Sequence, residues 1–164
     1  MPNWCANSLQ IVADEKIIEK IAKKLDETGG KEFFDIWVPN AGDREDWYSY
    51  NCDTYGCKWN CDAHTWDVDG EGTNITINFD SPWSPPVALY DTMSNELNVN
   101  LLAYYYEPGM CFAGKFEDGV DDFYDYSGMD SHEIEDYLPD DIDEMFAISE
   151  QERDREIEES CDED

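Results

Sequence analysis

Asn74-Ile75-Thr76-Ile77-Asn78-Phe79 decides the fold. Apolar Ile75, Ile77 and Phe79 alternate with polar Asn74, Thr76 and Asn78, the period of a strand with one face on a core and one toward water. Gly70-Glu71-Gly72 turns the chain just before it. Upstream, Tyr55, Cys57, Trp59 and Cys61 alternate with Gly56, Lys58 and Asn60, which predicts a further strand, extended past a bulge by residues 65–68. Downstream, Ser84 before Pro85-Pro86 opens a helix, because proline is tolerated in the first helical turn. Val87, Leu89, Tyr90, Met93 and Leu97 supply its buried face.

Farther out, Leu9, Ile11 and Val12 mark a first strand over residues 7–12. Asp14 caps a helix with Ile17, Ile18, Ile21, Ala22 and Leu25 inward, and Gly29-Gly30 ends it. Residues 33–38 are a short apolar piece stopped by Pro39. Residues 40–50, with Trp47, Tyr48 and Tyr50, predict a loop carrying packed aromatics. Residues 99–106, 110–116 and 120–126 predict three more strands, joined at Glu107-Pro108-Gly109 and Asp118-Gly119. The order β-α-β-β-α-β with added strands predicts an α+β fold: a ferredoxin-like split βαβ antiparallel sheet. Asp130 and Glu133 then form a capping box opening a short helix, with Ile134, Tyr137 and Leu138 inward. Pro139 starts another, with Ile142, Met145 and Phe146 on one side. Ser149 and Glu152 suggest a second box, beyond which only Ile157 is apolar. The expected organisation is a ferredoxin-like domain over residues 1–128, a docked acidic helical segment over 129–149 and an acidic solvated tail over 150–164.

The 164 residues carry 41 acids and 10 bases, a net charge of −31. Residues 1–60 hold a net −4, residues 61–115 a net −7, and residues 116–164 a net −20 from 22 acids and 2 bases. Direct binding to nucleic acid or an anionic membrane is disfavoured, since phosphates need Lys and Arg. A basic protein surface or a divalent cation is the natural partner. No apolar run approaches the ~20 residues of a membrane span, and none near Met1 reads as a signal peptide. The sequence is therefore expected to be soluble and cytoplasmic, with its six cysteines reduced.

Several short motifs occur together: Met1-Pro2-Asn3-Trp4-Cys5 with Asn7, Tyr55-Gly56-Cys57-Lys58-Trp59-Asn60, Ser81-Pro82-Trp83-Ser84-Pro85-Pro86 and Tyr106-Glu107-Pro108-Gly109. With residues 138–148, the set resembles a phage and plasmid family described as having a YubB ferredoxin-like domain. Members often carry Trp-Gly-Thr-Lys-Trp where this chain has Tyr55-Gly56-Cys57-Lys58-Trp59. The resemblance implies an α+β fold and a mobile-element source in a bacterial cell, but no activity.

Sites of chemistry are sparse. Cys52, Cys57, Cys61 and His64 are the nearest approach to a zinc set, yet the paired Cys-x2-Cys knuckles are missing and buried thiols pack well on a strand face. His64 and His132 are the only histidines, and no nucleophile, phosphate-loop or metalloprotease motif accompanies them. Asp140-Asp141-Ile142-Asp143-Glu144 lacks the glycine and spacing of a calcium loop. Stacking of bases on Trp83, Tyr104, Tyr105 and Tyr106, as on RNA-recognition sheets, would need a basic groove, which is absent. Core packing is the expected use of Trp4, Trp59 and Trp83. No enzyme, cofactor or metal is expected.

The functional expectation rests on the acidic C-terminal region. Its acids are interleaved with apolar anchors through Phe146, and docked carboxylates form a fixed negative array. Twenty net charges match ~34 Å of duplex DNA, about one helical turn. The expected role is a phage-type, non-enzymatic inhibitor that binds a basic host nucleic-acid-binding defence protein, such as a restriction enzyme, nuclease or CRISPR effector, by mimicking DNA. The contacts would be Asp121, Asp122, Asp125, Glu133, Glu135, Asp136, Asp140, Asp141, Asp143 and Glu144. The alternative is an accessory structural or adaptor domain whose acidic tail is only solubilising.

Overall fold

β1 (Trp4–Val12) runs through the middle of the sheet, with Cys5, Asn7, Leu9 and Ile11 buried on one side. In the computed structural model, which describes residues 1–96 and 98–162, β1 pairs antiparallel with β3 (Asn74–Pro82) and with β4 (Asn100–Glu107). β2 (Ala63–Val68) lies outside β3, and β5 (Phe112–Glu117) and β6 (Val120–Asp125) continue beyond β4. The order is β2-β3-β1-β4-β5-β6, with every neighbouring pair antiparallel. The first four strands, with α1 (Glu15–Thr28) after β1 and α3 (Val87–Ser94) after β3, make the expected ferredoxin-like unit.

The first core lies between the sheet and α1 and α3. Asp14 Oδ1 accepts the N–H groups of Lys16 and Ile17 at 3.0 and 3.2 Å, satisfying donors that the first helical turn leaves open. Gly29, at φ 63°, ends the helix in the left-handed conformation glycine tolerates. Ile18, Ile21 and Leu25 then meet Leu9, Ile11, Ile75 and Ile77.

A second core occupies the opposite face, over β4, β5 and Tyr124 of β6. Here α4 (Ser131–Tyr137), α5 (Asp140–Phe146) and α6 (Ile148–Asp162) bring Ile134, Leu138, Ile142 and Ile148 onto Ala113 and Tyr126, with Tyr104 and Tyr106 alongside. The sheet is therefore covered on one face by α1 and α3, and on the other face across its β4-β5-β6 side.

Several local expectations change. Residues 55–61 are not a strand: Tyr55 follows α2 (Trp47–Thr54), and regular pairing starts only at Ala63. Gly56, at φ 87°, brings its backbone against α3, where an added Cβ would stand 2.9 Å from the Ala88 nitrogen. The period-2 burial of Tyr55, Cys57 and Cys61 comes from this packed loop, not from a ladder. α2 itself replaces the end of the expected 40–50 loop, and Asn51 on it donates to the Lys58 carbonyl at 3.0 Å. Residues 33–36 form one 3₁₀ turn. The expected bulge falls between Ala63 and Thr65.

The Asp130–Glu133 capping box forms in both directions. The second box does not: the Ser149 N–H and Oγ donate to Asp143 instead, at 2.7 and 2.5 Å. Residues 148–162 are one helix crossing the expected 149/150 boundary. Its Glu156 accepts from the Ser131 N–H and Oγ, both at 2.8 Å, and so ties α6 to the start of α4. Tyr137 and Met145, expected inward, are each 44% exposed. Leu97 lies outside the described residues.

Candidate functional site

Residues paired across an antiparallel sheet share a face. Asp80, Ala6 and Tyr106 form one row, Asn78, Ser8 and Tyr104 the next, and Thr76, Gln10 and Leu102 a third. The Tyr104 and Tyr106 ends lie beneath the acidic helices; Phe146 stacks on Tyr106 with ring centroids 5.3 Å apart. The Asp80, Asn78 and Thr76 ends are polar and belong to the part of the face that α4, α5 and α6 leave uncovered. The candidate surface thus combines an open polar half-sheet with an acidic helical wall.

The wall carries 14 acids and 2 bases between residues 131 and 162. Such a density repels itself, so apolar anchoring and a few ion pairs must hold it. Lys115 Nζ on β5 meets Asp141 Oδ2 at 2.9 Å, and the same oxygen accepts from the Tyr104 hydroxyl at 3.0 Å. The Lys115 ammonium holds the Asp141 carboxyl below the usual range. Arg153 pairs with Glu135 at 2.9 Å, while Arg155 pairs with Glu152 and Glu159.

The ten expected contact acids divide into two groups. Asp141 is spent on Lys115 and Tyr104, and Asp143 on the start of α6. Glu133 closes the capping box, and Glu135 binds Arg153. Asp125 accepts from the Ser127 N–H and hydroxyl, which lower its carboxyl pKa. Asp121 accepts from the Tyr105 hydroxyl at 2.7 Å, but burial raises its carboxyl pKa. Asp122, Asp136, Asp140 and Glu144 are exposed and make no side-chain hydrogen bond among the described residues. These four are the free part of the expected array.

The four motifs behind the family resemblance meet at one end of the sheet, although the chain separates them widely. The Trp83 N–H donates to the Asn3 carbonyl at 2.8 Å, and Ser84 Oγ to the Gly56 carbonyl at 2.8 Å. Beneath them, Asn7 Nδ2 donates to Ser81 Oγ at 2.8 Å, and the Tyr90 hydroxyl donates to Asn7 Oδ1 at 3.0 Å. The buried Glu107 carboxylate accepts the N–H groups of Gly109 and Met110, fixing the turn after β4. Trp4 and Trp83 are each 47% exposed, so they do not serve the core as expected. Tyr105 does, whereas Tyr104 and Tyr106 face the acidic wall. Alternation alone could have signalled this division between the tyrosines, and it also puts Trp4 on the open face of β1 with Ala6 and Ser8.

Burial pushes the Cys5 thiol up to about 12, and its neighbour Cys57 followed by burial raises the Cys61 thiol, so neither is poised as a thiolate. Cys57 and Cys61 point their sulfurs at the Trp59 carbonyl, at 3.3 and 3.6 Å. Among the described residues, no three His, Cys, Asp or Glu side chains are grouped to hold a metal ion. No helix among them is long and apolar enough to cross a membrane.

Residues 54–160 match the family model described as the ferredoxin-like domain in Api92-like protein. That match takes in β2 through most of α6. No curated protein matches this sequence. A crystal structure of protein api92 from Yersinia pseudotuberculosis aligns with 79% of this chain and 99% of that chain, at 11% identity and a TM-score of 0.49.

Proposed function

This chain belongs to the family of the ferredoxin-like domain in Api92-like protein, and we propose that it acts without catalysis, as an inhibitor of a basic nucleic-acid-binding protein. The acidic wall occupies the target's nucleic-acid cleft in place of DNA. A phage- or plasmid-borne source and a host defence protein as target fit that role. One observation carries the reading: the acids of residues 131–162 stand on helices anchored to the sheet through Ile134, Leu138, Ile142 and Ile148, instead of on a loose tail. Anchored charges keep their spacing when they meet a partner, and so lose less entropy on binding.

A second reading is an adaptor domain whose acidity only solubilises. It is favoured by the hydrogen bonds that Asp121, Asp125, Glu133, Glu135, Asp141 and Asp143 make within the chain. One experiment separates the two. The immobilised protein captures partners from a bacterial lysate, and the most basic captured protein is then purified and titrated with duplex DNA. Under the inhibitor reading, this chain competes with DNA for one site. A partner that holds DNA and this chain together supports the adaptor.

A further inference from the structure

At the Trp4 end of the open half-sheet lies a cavity of about 270 Å³, lined by Trp4, Trp59, Cys61, Asp62, His64 and Asp80 with Asn60 beside them. The two indoles meet edge-on, with centroids 6.2 Å apart and planes at 68°. Asp80 Oδ2 lies 3.1 Å from His64 Nε2, and Asp62 Oδ1 accepts the Glu32 N–H at 2.9 Å. The second oxygen of each carboxylate makes no hydrogen bond among the described residues. Lys58 Nζ sits 5.3 Å from the centroid of the Trp59 ring, so this indole already takes a cation from its own chain, although Lys58 does not line the cavity.

We propose that this cavity is a binding site for an organic cation, the guanidinium end of an arginine side chain on the partner protein. Aromatic faces attract cations through the ring quadrupole, and the two carboxylates supply charge-assisted acceptors. Arginine suits the cavity better than lysine because its planar group stacks on an indole while its fork reaches carboxylate oxygens. The volume is below the ~300 Å³ at which small-molecule pockets begin, and so fits a side-chain end. Asp80 and Trp4 lie on the same sheet face as the acidic wall, so one basic partner can engage both. The identity of the arginine as a partner's rests on the proposed function; the chemistry of the cavity does not.

The test therefore uses no partner. N-acetyl-arginine methylamide, with the lysine and alanine analogues as controls, is titrated into the full chain while the Trp indole N–H signals are followed by NMR. Saturable shifts at Trp4 and Trp59, in the millimolar range for the arginine analogue and weaker for lysine, are expected. Asp80→Asn should weaken that binding about tenfold, as loss of a charge-assisted contact does. Trp4→Leu changes an exposed side chain, so the fold should hold, and should abolish the shift at Trp59. Equal shifts with the alanine analogue, shifts confined to tryptophans away from the cavity such as Trp37 and Trp47, or unaltered binding in Asp80→Asn would overturn the proposal. Arginine binding in a chain that fails to displace DNA would retire the inhibitor reading and leave the cavity's role intact.

Discussion

Lys115 on β5 and Asp141 on α5 lie 2.9 Å apart, Nζ to Oδ2, and join the acidic wall to the sheet. Lys115 is the one base between residues 59 and 152. Its carboxylate partner is 40% exposed, so solvent screens the pair. Asp141→Asn should cost about 0.5–1 kcal/mol at pH 7. The sign with pH is fixed by the depressed carboxyl pKa. The stabilisation is present above the unfolded value of about 3.9 and is lost as pH falls through the lower folded value. Urea midpoints of parent and variant measured from pH 7 downward should converge in acid. A gap that widened there would contradict the assignment.

Asp121 has the opposite sign. Burial raises its carboxyl pKa despite the bond from Tyr105. Its contribution is best below the unfolded value and falls as pH rises through the raised folded value. Asp121→Asn keeps Oδ1 as an acceptor and removes a partly desolvated charge. The variant should be at least as stable as the parent at pH 7, with the difference closing toward pH 4. Lower stability at pH 7 would show that the charge itself is needed.

Tyr105 reaches Asp121 by crossing Gly114, where an added Cβ would collide with the tyrosine hydroxyl and stand 2.5 Å from the Asp122 carbonyl oxygen. Gly114→Ala should cost about 1–3 kcal/mol through overpacking. Combining it with Tyr105→Phe should recover little, because the ring still fills the same space. Thermal unfolding of the single and double variants checks this.

Tyr55 offers a contrast. Its ring is buried against Phe34, 5.1 Å between centroids, but its hydroxyl has no hydrogen-bond partner among the described residues. An unpaired buried hydroxyl is a cost, so Tyr55→Phe should be neutral or stabilising, by up to about 1 kcal/mol. A loss of stability in denaturant titration would point to a partner for the hydroxyl in solution.

The sheet was legible in the sequence wherever apolar residues alternated on a strand with one wet face. Ile75, Ile77 and Phe79 are the clearest case, and the caps at Asp14 and Asp130 were readable from residue type and spacing. The 55–62 segment was not, because a loop pinned by Gly56 against α3 can bury every second residue as a strand does. The acidic wall was half legible. Its anchors showed in the pattern, but which acids face inward depends on contacts distant in sequence, such as Lys115 with Asp141 and Ser131 with Glu156. The cavity beside Trp4 left no signal, since its residues come from three separate stretches.

In the proposed function, the free acids of the wall, with Asp122 beside them on β6, bind in place of DNA. Asp122, Asp136, Asp140 and Glu144 have no internal role, so replacing all four with Asn or Gln should leave the fold intact. The decisive measurement is competition between this chain and duplex DNA for the captured basic protein, made with parent and quadruple variant over a series of salt concentrations. The parent is expected to displace DNA with binding that weakens steeply with salt, and the variant to bind at least tenfold more weakly, about 1.4 kcal/mol, with a shallower salt dependence. A folded variant that displaces DNA as well as the parent at every salt concentration would contradict it.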